Sequence, residues 1–224
     1  MRTLLITLLA FAFWPTAASA TAICQAGVAD NFSTGNGTEL SSPAAVWLGC
    51  LGTTSGVGLQ GQLDDCHIDR YVGHSFDLTS CPSDGDTTGS GTILVIVRVK
   101  GVAATSSNPA NDYLLLGIDG VARWGKSLNH LQCLRTGGAD CTWSGGDSAT
   151  FVLDLQNLPS ADPPPAGWCS WPTSLTNLVP LVGGAGNLDV GVTDDSCVDF
   201  IAIRYDTATP VRRDSWGTVK VRYR

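Results

Sequence analysis

Residues 92–102 read TILVIVRVKGV, and their alternation decides the fold. Successive side chains of an extended chain point to opposite faces, so Ile93, Val95, Val97 and Val99 share one side while Leu94, Ile96, Arg98 and Lys100 share the other. The second face starts apolar and ends basic, the pattern of an interior strand that leaves the core at one end. The same period of two recurs downstream, in Phe151, Leu153 and Leu155 against Thr150, Val152 and Asp154, and in Leu188, Val190 and Val192 against Asp189, Gly191 and Thr193. An apolar run over 113–118 is bounded by the turn signals Asn111-Asp112 and Asp119-Gly120, and another fills 198–205 after Asp194-Asp195-Ser196. The strands at 188–192 and 198–205 are expected to pair as a hairpin.

Composition agrees with strands. The chain has 26 Gly and 11 Pro, a single Glu (Glu39) and three Lys, whereas surface helices consume Glu and Lys. Only two segments carry helical spacing. Thr173 to Leu181 is expected to form a turn or two that Pro180 stops, and Trp124 to Leu134 is left open between helix and loop. Short strands without a βαβ rhythm predict an all-β, antiparallel β-sandwich, jelly-roll-like, with one short helix and several disulfides. A sandwich of this size is commonly one unit, so residues 21–206 are expected to form a single domain.

The ends read differently. Arg2, the apolar stretch Leu4 to Trp14 and the small-residue site Ala18-Ser19-Ala20 have the form of a secretion signal over 1–20, with cleavage expected after Ala20. That stretch is shorter than the ~20 residues a membrane span needs, and no later segment approaches it, so no membrane span is expected. Residues 207–224 are expected to be an edge strand or tail: Val219, Val221 and Tyr223 alternate with Lys220, Arg222 and Arg224. A net charge of −7 argues against a nucleic-acid partner.

Cys24, Cys50, Cys66, Cys81, Cys133, Cys141, Cys169 and Cys197 all follow the signal, which predicts a structural disulfide framework in an extracellular or periplasmic compartment. Cys133 and Cys141, flanking Gly137-Gly138, are the best local pair. The absence of C-x-x-C removes thioredoxin-type exchange and the usual zinc spacing.

Tests for a reaction centre fail in an orderly way. The histidines are His67, His74 and His130; Gly146-Asp147-Ser148 looks like the nucleophile block of GDS-type lipases, but no histidine follows His130, and the tripeptide also reads as a turn. With one Glu, a glycosidase pair would need aspartates. The chain is therefore read as non-enzymatic. Calcium is the cofactor the residues favour, because it takes several hard oxygen ligands from loops. Asp30-Asn31, Asp64-Asp65, Asn111-Asp112 and Asp194-Asp195 are acidic or amide doublets, which read as plain turns or as a calcium site at the sandwich edge, and Asp194, Asp195 and Asp199 form the densest cluster. Trp168 and Trp171 flank Cys169 in a Pro-rich loop, where a bridge could hold two indoles as a stacking platform for a sugar face; the alternative is that both cover the end of the core.

The segments WSGGDSATFVLDLQNLP (143–159) and GNLDVGVTDDSCVDFIAIRY (186–205) resemble sandwich domains of secreted, mostly bacterial proteins of uncharacterised role. Their order of strands, acidic turn and closing apolar strand is similar to jelly-roll carbohydrate-binding modules. The resemblance covers about the last half of the chain beyond the signal, and implies the sandwich and a glycan-binding role without assigning ligand residues. The ending SWGTVKVRYR (215–224) resembles short tails of exported bacterial proteins, which implies sorting or attachment; by its own alternation it is a last strand. Together these readings predict an exported binding module for glycan or cell-surface material. The alternatives are a structural or adhesion protein of an envelope or matrix, and a hydrolase with an aspartate-based site.

Overall fold

The computed structural model describes residues 21–33, 59–66, 70–81, 92–102 and 112–206. The expected signal, the terminal strand or tail, and His67 lie outside the described residues. Among the described residues there are nine strands: β1 (Thr21–Ala26), β2 (Leu59–Gln60), β3 (Arg70–Asp77), β4 (Thr92–Gly101), β5 (Tyr113–Ile118), β6 (Val121–Ser127), β7 (Ser148–Asp154), β8 (Asn187–Val192) and β9 (Ser196–Asp206). Two helices accompany them in the described residues, α1 (Leu128–Arg135) and α2 (Val179–Val182).

The strands form two sheets, ordered β1-β9-β4-β7 and β2-β3-β8-β5-β6. Every pairing is antiparallel except the two-residue contact of β2 with β3. As the alternation predicts, β4 is interior, with Ile93, Val95, Val97 and Val99 buried and the opposite face half-buried. Phe151 and Leu153 from β7 and Ile201 and Ile203 from β9 join them in a core shared with Leu114, Leu116, Leu188 and Val190 of the other sheet. Strand β5 is buried along its whole length, so its sheet is covered on both faces. The all-β sandwich is thus the fold of the chain.

Three local expectations change. The strands at 188–192 and 198–205 do not form a hairpin, because β8 and β9 belong to different sheets. Their connection is held from both sides: Thr193 N donates to Tyr113 O at the start of β5, and Val102 N, just after β4, donates to Asp195 O. A left-handed Asp194 (φ +66°) turns this corner from one sheet to the other. Second, Pro180 opens a helix rather than stopping one. It sits in the first turn of α2, where its missing N–H has no intrahelical acceptor to lose. Third, the open segment from Trp124 resolves into the end of β6 followed by α1, whose start is fixed by Ser127 Oγ accepting from His130 N at 3.2 Å.

Disulfides Cys24–Cys81, Cys66–Cys197 and the expected local pair Cys133–Cys141 are present, and Cys169 is bonded to a partner outside the described residues. Cys66–Cys197 spans 131 residues and Cys133–Cys141 spans 8. In the chain-entropy picture the first stabilises by about 5 kcal/mol and the second by about 2.5 kcal/mol. No helix among the described residues is long and apolar enough to cross a membrane.

Candidate functional site

Three constellations could carry function. The first is acidic. Asp30, Asp64 and Asp199 bring one carboxylate oxygen each to within 4.8 Å of the others, from the loop after β1, the turn after β2, and β9. Asp64 and Asp199 are buried. The chain reaches this geometry through left-handed backbone at Gly27, Asn31, Phe32 and Asp64. A Cβ on Gly27 would stand 2.5 Å from Asp199 O, so only glycine lets the loop lie this close to β9. Asp64 N donates to Val198 O at 2.8 Å, Phe32 N donates to Asp199 Oδ1 at 2.9 Å, and Cys66–Cys197 ties the turn to β9 alongside.

The expected cluster of Asp194, Asp195 and Asp199 is therefore divided. Asp199 joins Asp30 and Asp64, while Asp194 and Asp195 stay in the corner, with Asp195 N donating to Asp112 Oδ1 at 3.1 Å. Neighbours in sequence part because they stand on opposite sides of the turn into β9. Burial, with a smaller repulsion from Asp195, pushes the Asp112 carboxyl up to about 6, against the opposing hydrogen bond from Asp195 N–H.

The second constellation holds the aromatics and corrects the platform reading. Trp168 and Trp171 are 9% and 5% exposed, and neither presents a ring face to solvent. Trp171 lies over Gly125 of β6, where an added Cβ would meet its ring at 2.6 Å, and its Nε1 donates to Asp162 O at 2.8 Å. Tyr113 packs on both indoles, at 5.5 Å and 6.1 Å between ring centroids. The flat indoles cover an apolar sheet instead of facing water, because β6 offers a glycine there.

Beside them sits a residue that sequence reading missed. Asp162 Oδ1 accepts from Lys126 Nζ at 3.0 Å; its Oδ2 accepts from Ser127 N at 2.9 Å and from His130 Nδ1 at 2.7 Å. Burial works against this charge, but the bonds from Ser127, His130 and Lys126 outweigh it and hold the Asp162 carboxyl below its ordinary range. Asp162 also donates its own N–H to Gly125 O at 2.8 Å. A carboxylate on His130 Nδ1 is the orienting half of a catalytic dyad, yet among the described residues no serine or threonine hydroxyl bonds its other ring nitrogen. Ser148 is remote in role as well: Gly146-Asp147 forms the turn into β7, with Asp147 Oδ2 accepting from Ser144 N and Oγ. His74 is half-buried on β3, edge-on to Phe76 at 4.6 Å, and its burial lowers its pKa.

The third constellation is a groove of about 480 Å³ between α1 and β7, walled by Leu131, Leu134, Arg135, Val152, Asn157 and Pro159. Leu134 and Val152 are the most exposed large apolar side chains among the described residues, at 57% and 56%. Strand β7 is the outermost of its sheet. Gly101 N donates to Asp147 O and Leu155 N to Ile93 O at the two ends of its pairing with β4. Antiparallel bonds alternate, so Ala149, Phe151 and Leu153 face β4 while Thr150 and Val152 turn their N–H and C=O toward the groove. Neither of those amides is hydrogen-bonded among the described residues.

No protein-family model, curated protein or solved structure matches the chain.

Proposed function

We propose that the chain is exported and works as a non-catalytic binding module for cell-surface or other extracellular material, meeting its partner along the groove between α1 and β7. The observation that carries this reading is the coincidence, in one concave strip, of exposed apolar side chains with strand backbone that has no partner among the described residues. Export is supported by the signal-like residues 1–20, by β1 starting at Thr21 just after the expected cleavage point, and by a bonded state for every described cysteine. Glycan stays within the proposal, although burial of Trp168 and Trp171 removes the stacking surface that favoured it. Calcium would brace the opposite flank, with Asp30, Asp64 and Asp199 as its carboxylate ligands.

The test applies the mature protein to cells of the producing organism and to a glycan array, with a calcium chelator in one arm. Retention on either surface, reduced at least tenfold by Leu134→Lys, is the expected result. Failure to be retained anywhere, or retention indifferent to Leu134→Lys, overturns the groove as the binding face. Loss of retention on chelation, reproduced by Asp199→Asn, would bring the calcium flank into binding. Turnover of a polysaccharide or ester panel abolished by His130→Asn would replace the module by a hydrolase.

A further inference from the structure

We propose that a second copy of the chain takes the groove between α1 and β7 in the free protein, the two β7 strands pairing antiparallel about a two-fold axis at Phe151. This rests on the groove being the working face and names the occupant that an external partner has to displace.

The edge of β7 is self-complementary in one register. Thr150 and Val152 turn their N–H and C=O away from β4, and those groups have no backbone partner among the described residues. Placing Thr150 opposite Val152 of the second copy, and Val152 opposite Thr150, lets each pair exchange both its bonds, so every one of these groups in both copies is used. A slide of two residues one way sets Thr150 against Asp154, whose carbonyl already accepts from Asn157 N at 3.0 Å. A slide the other way carries Asp154 beyond the end of β7, opposite Gly146. In the central register Thr150 and Val152 also pack against each other across the pair, covering the apolar surface that Val152 exposes.

The same register matches charge. It sets Asp154 of one copy opposite Ser148 of the other, and Ser148 is where the basic side chains of β4 gather. Arg98 Nη2 lies 3.4 Å from Ser148 Oγ, and Lys100 is the ladder partner of Ser148. Both cations sit over the Phe32 ring, 5.6 Å and 5.7 Å from its centroid. The Asp154 carboxylate accepts from its own turn, from Gln156 N at 2.9 Å and Asn157 Nδ2 at 2.8 Å, and among the described residues neither it nor Arg98 is in an ion pair. Side chains directly opposite in a strand pair stand about 5 Å apart, which brings Asp154 of the second copy within reach of the Arg98 guanidinium. The two-fold axis makes this contact twice. An unrelated strand could satisfy the backbone, but the match of Asp154 to Arg98 belongs to this sequence. Because the contact is isologous it closes at two copies and leaves no β7 edge for a third. One strand pair is a small interface, so the dimer is a weak, exchanging one.

Sedimentation of the mature full chain over a concentration series tests the pairing. The parent should pass from monomer to dimer. Arg98→Asp and Asp154→Arg, each alone, put like charges at both contacts and should raise the dissociation constant at least tenfold. An equimolar mixture of the two restores both attractions, as does the double variant, and each should dimerise as the parent does. A parent that stays monomeric up to about 1 mM overturns the proposal. So does a dimer indifferent to the single variants, or one that they weaken without recovery in the mixture. The two readings separate: a dimer with no retention on cells or glycan sinks the binding module alone, and retention lost in Leu134→Lys by a parent that is monomeric throughout sinks the pairing alone.

Discussion

Outer strands β6 and β7, one from each sheet, have their edges treated in opposite ways. Outer strand β6 is covered. Two of its outward backbone groups, Gly125 C=O and Ser127 N–H, are taken by Asp162, one by its N–H and one by its carboxylate. Trp124 Nε1 donates to Pro159 O, and Lys126 Nζ donates to Ser160 O, so two side chains on one face of the strand hold the same loop. Outer strand β7 shows the equivalent groups, at Thr150 and Val152, to an apolar groove. An unpaired edge is a template for another strand, and natural sheets normally blunt it. One edge is covered by the Asp162 loop and the other has no cover among the described residues, the contrast on which the proposed binding face rests.

The largest effect should come from unsealing β6. Asp162→Ala leaves Lys126 buried without its counter-charge and Ser127 N–H without its acceptor. Breaking a buried pair from one side costs about 3–5 kcal/mol, so the urea midpoint should fall by the corresponding amount. A midpoint within error of the parent would show that the loop is held by its indoles alone.

Protonation separates two buried carboxylates, Asp162 beside β6 and Asp112 at the start of β5, which titrate in opposite senses. Asp162 has a folded pKa below its unfolded value, so its contribution is present above the unfolded pKa and lost as pH falls through the folded one, in the acid range below about 4. Asp112, whose backbone carbonyl receives Leu128 N at the start of α1, is raised to about 6. Its contribution is complete below the unfolded pKa, near 4, and is lost as pH rises through about 6. Asp112→Asn should remove that loss and stabilise the protein at pH 8 by on the order of 2 to 3 kcal/mol. Denaturation curves at pH 4 and pH 8 check both arms; a variant no more stable than the parent at pH 8 would deny the buried charge.

Gly125→Ala comes next. The new methyl would meet the Trp171 ring at 2.6 Å and Leu115 Cδ2 at 2.8 Å. Overpacking of this kind costs about 1–3 kcal/mol and should raise solvent exposure of Trp171, readable by its fluorescence. An unshifted emission with full stability would mean that the indole can move aside.

These effects follow the division between what was legible in the sequence and what was not. Strand alternation made β4 and β7 readable, because a period of two is local. Asp119-Gly120 was readable as the turn between β5 and β6, and both residues indeed adopt positive φ. Cys133–Cys141 was readable because the pair is only 8 residues apart. The role of Asp162 was hidden, since its partners Lys126, Ser127 and His130 lie 32 to 36 residues away and nothing in PSADPPP marks a buried acid. The aspartate doublets pointed to oxygen-rich loops but could not say that Asp30 and Asp64 would meet Asp199, which depends on β1 and β9 lying side by side. The choice between platform and core cover for Trp168 and Trp171 was hidden for a related reason: a flanking cysteine and prolines describe a loop, and only the seat at Gly125 turns that loop inward.

The smallest effect bears most closely on the open edge. Leu134 is 57% exposed, so on a bare groove Leu134→Lys should change stability by less than about 0.5 kcal/mol. Its effect should fall on retention instead: a tenfold loss of binding to cells or glycan, with the urea midpoint unchanged, marks the groove as a working face. Val121→Lys, at another exposed apolar residue on β6, supplies the contrast and should leave retention unaltered. Equal loss at both positions would mean that added surface charge rather than the groove is responsible, and the difference between the two edges would lose its functional meaning.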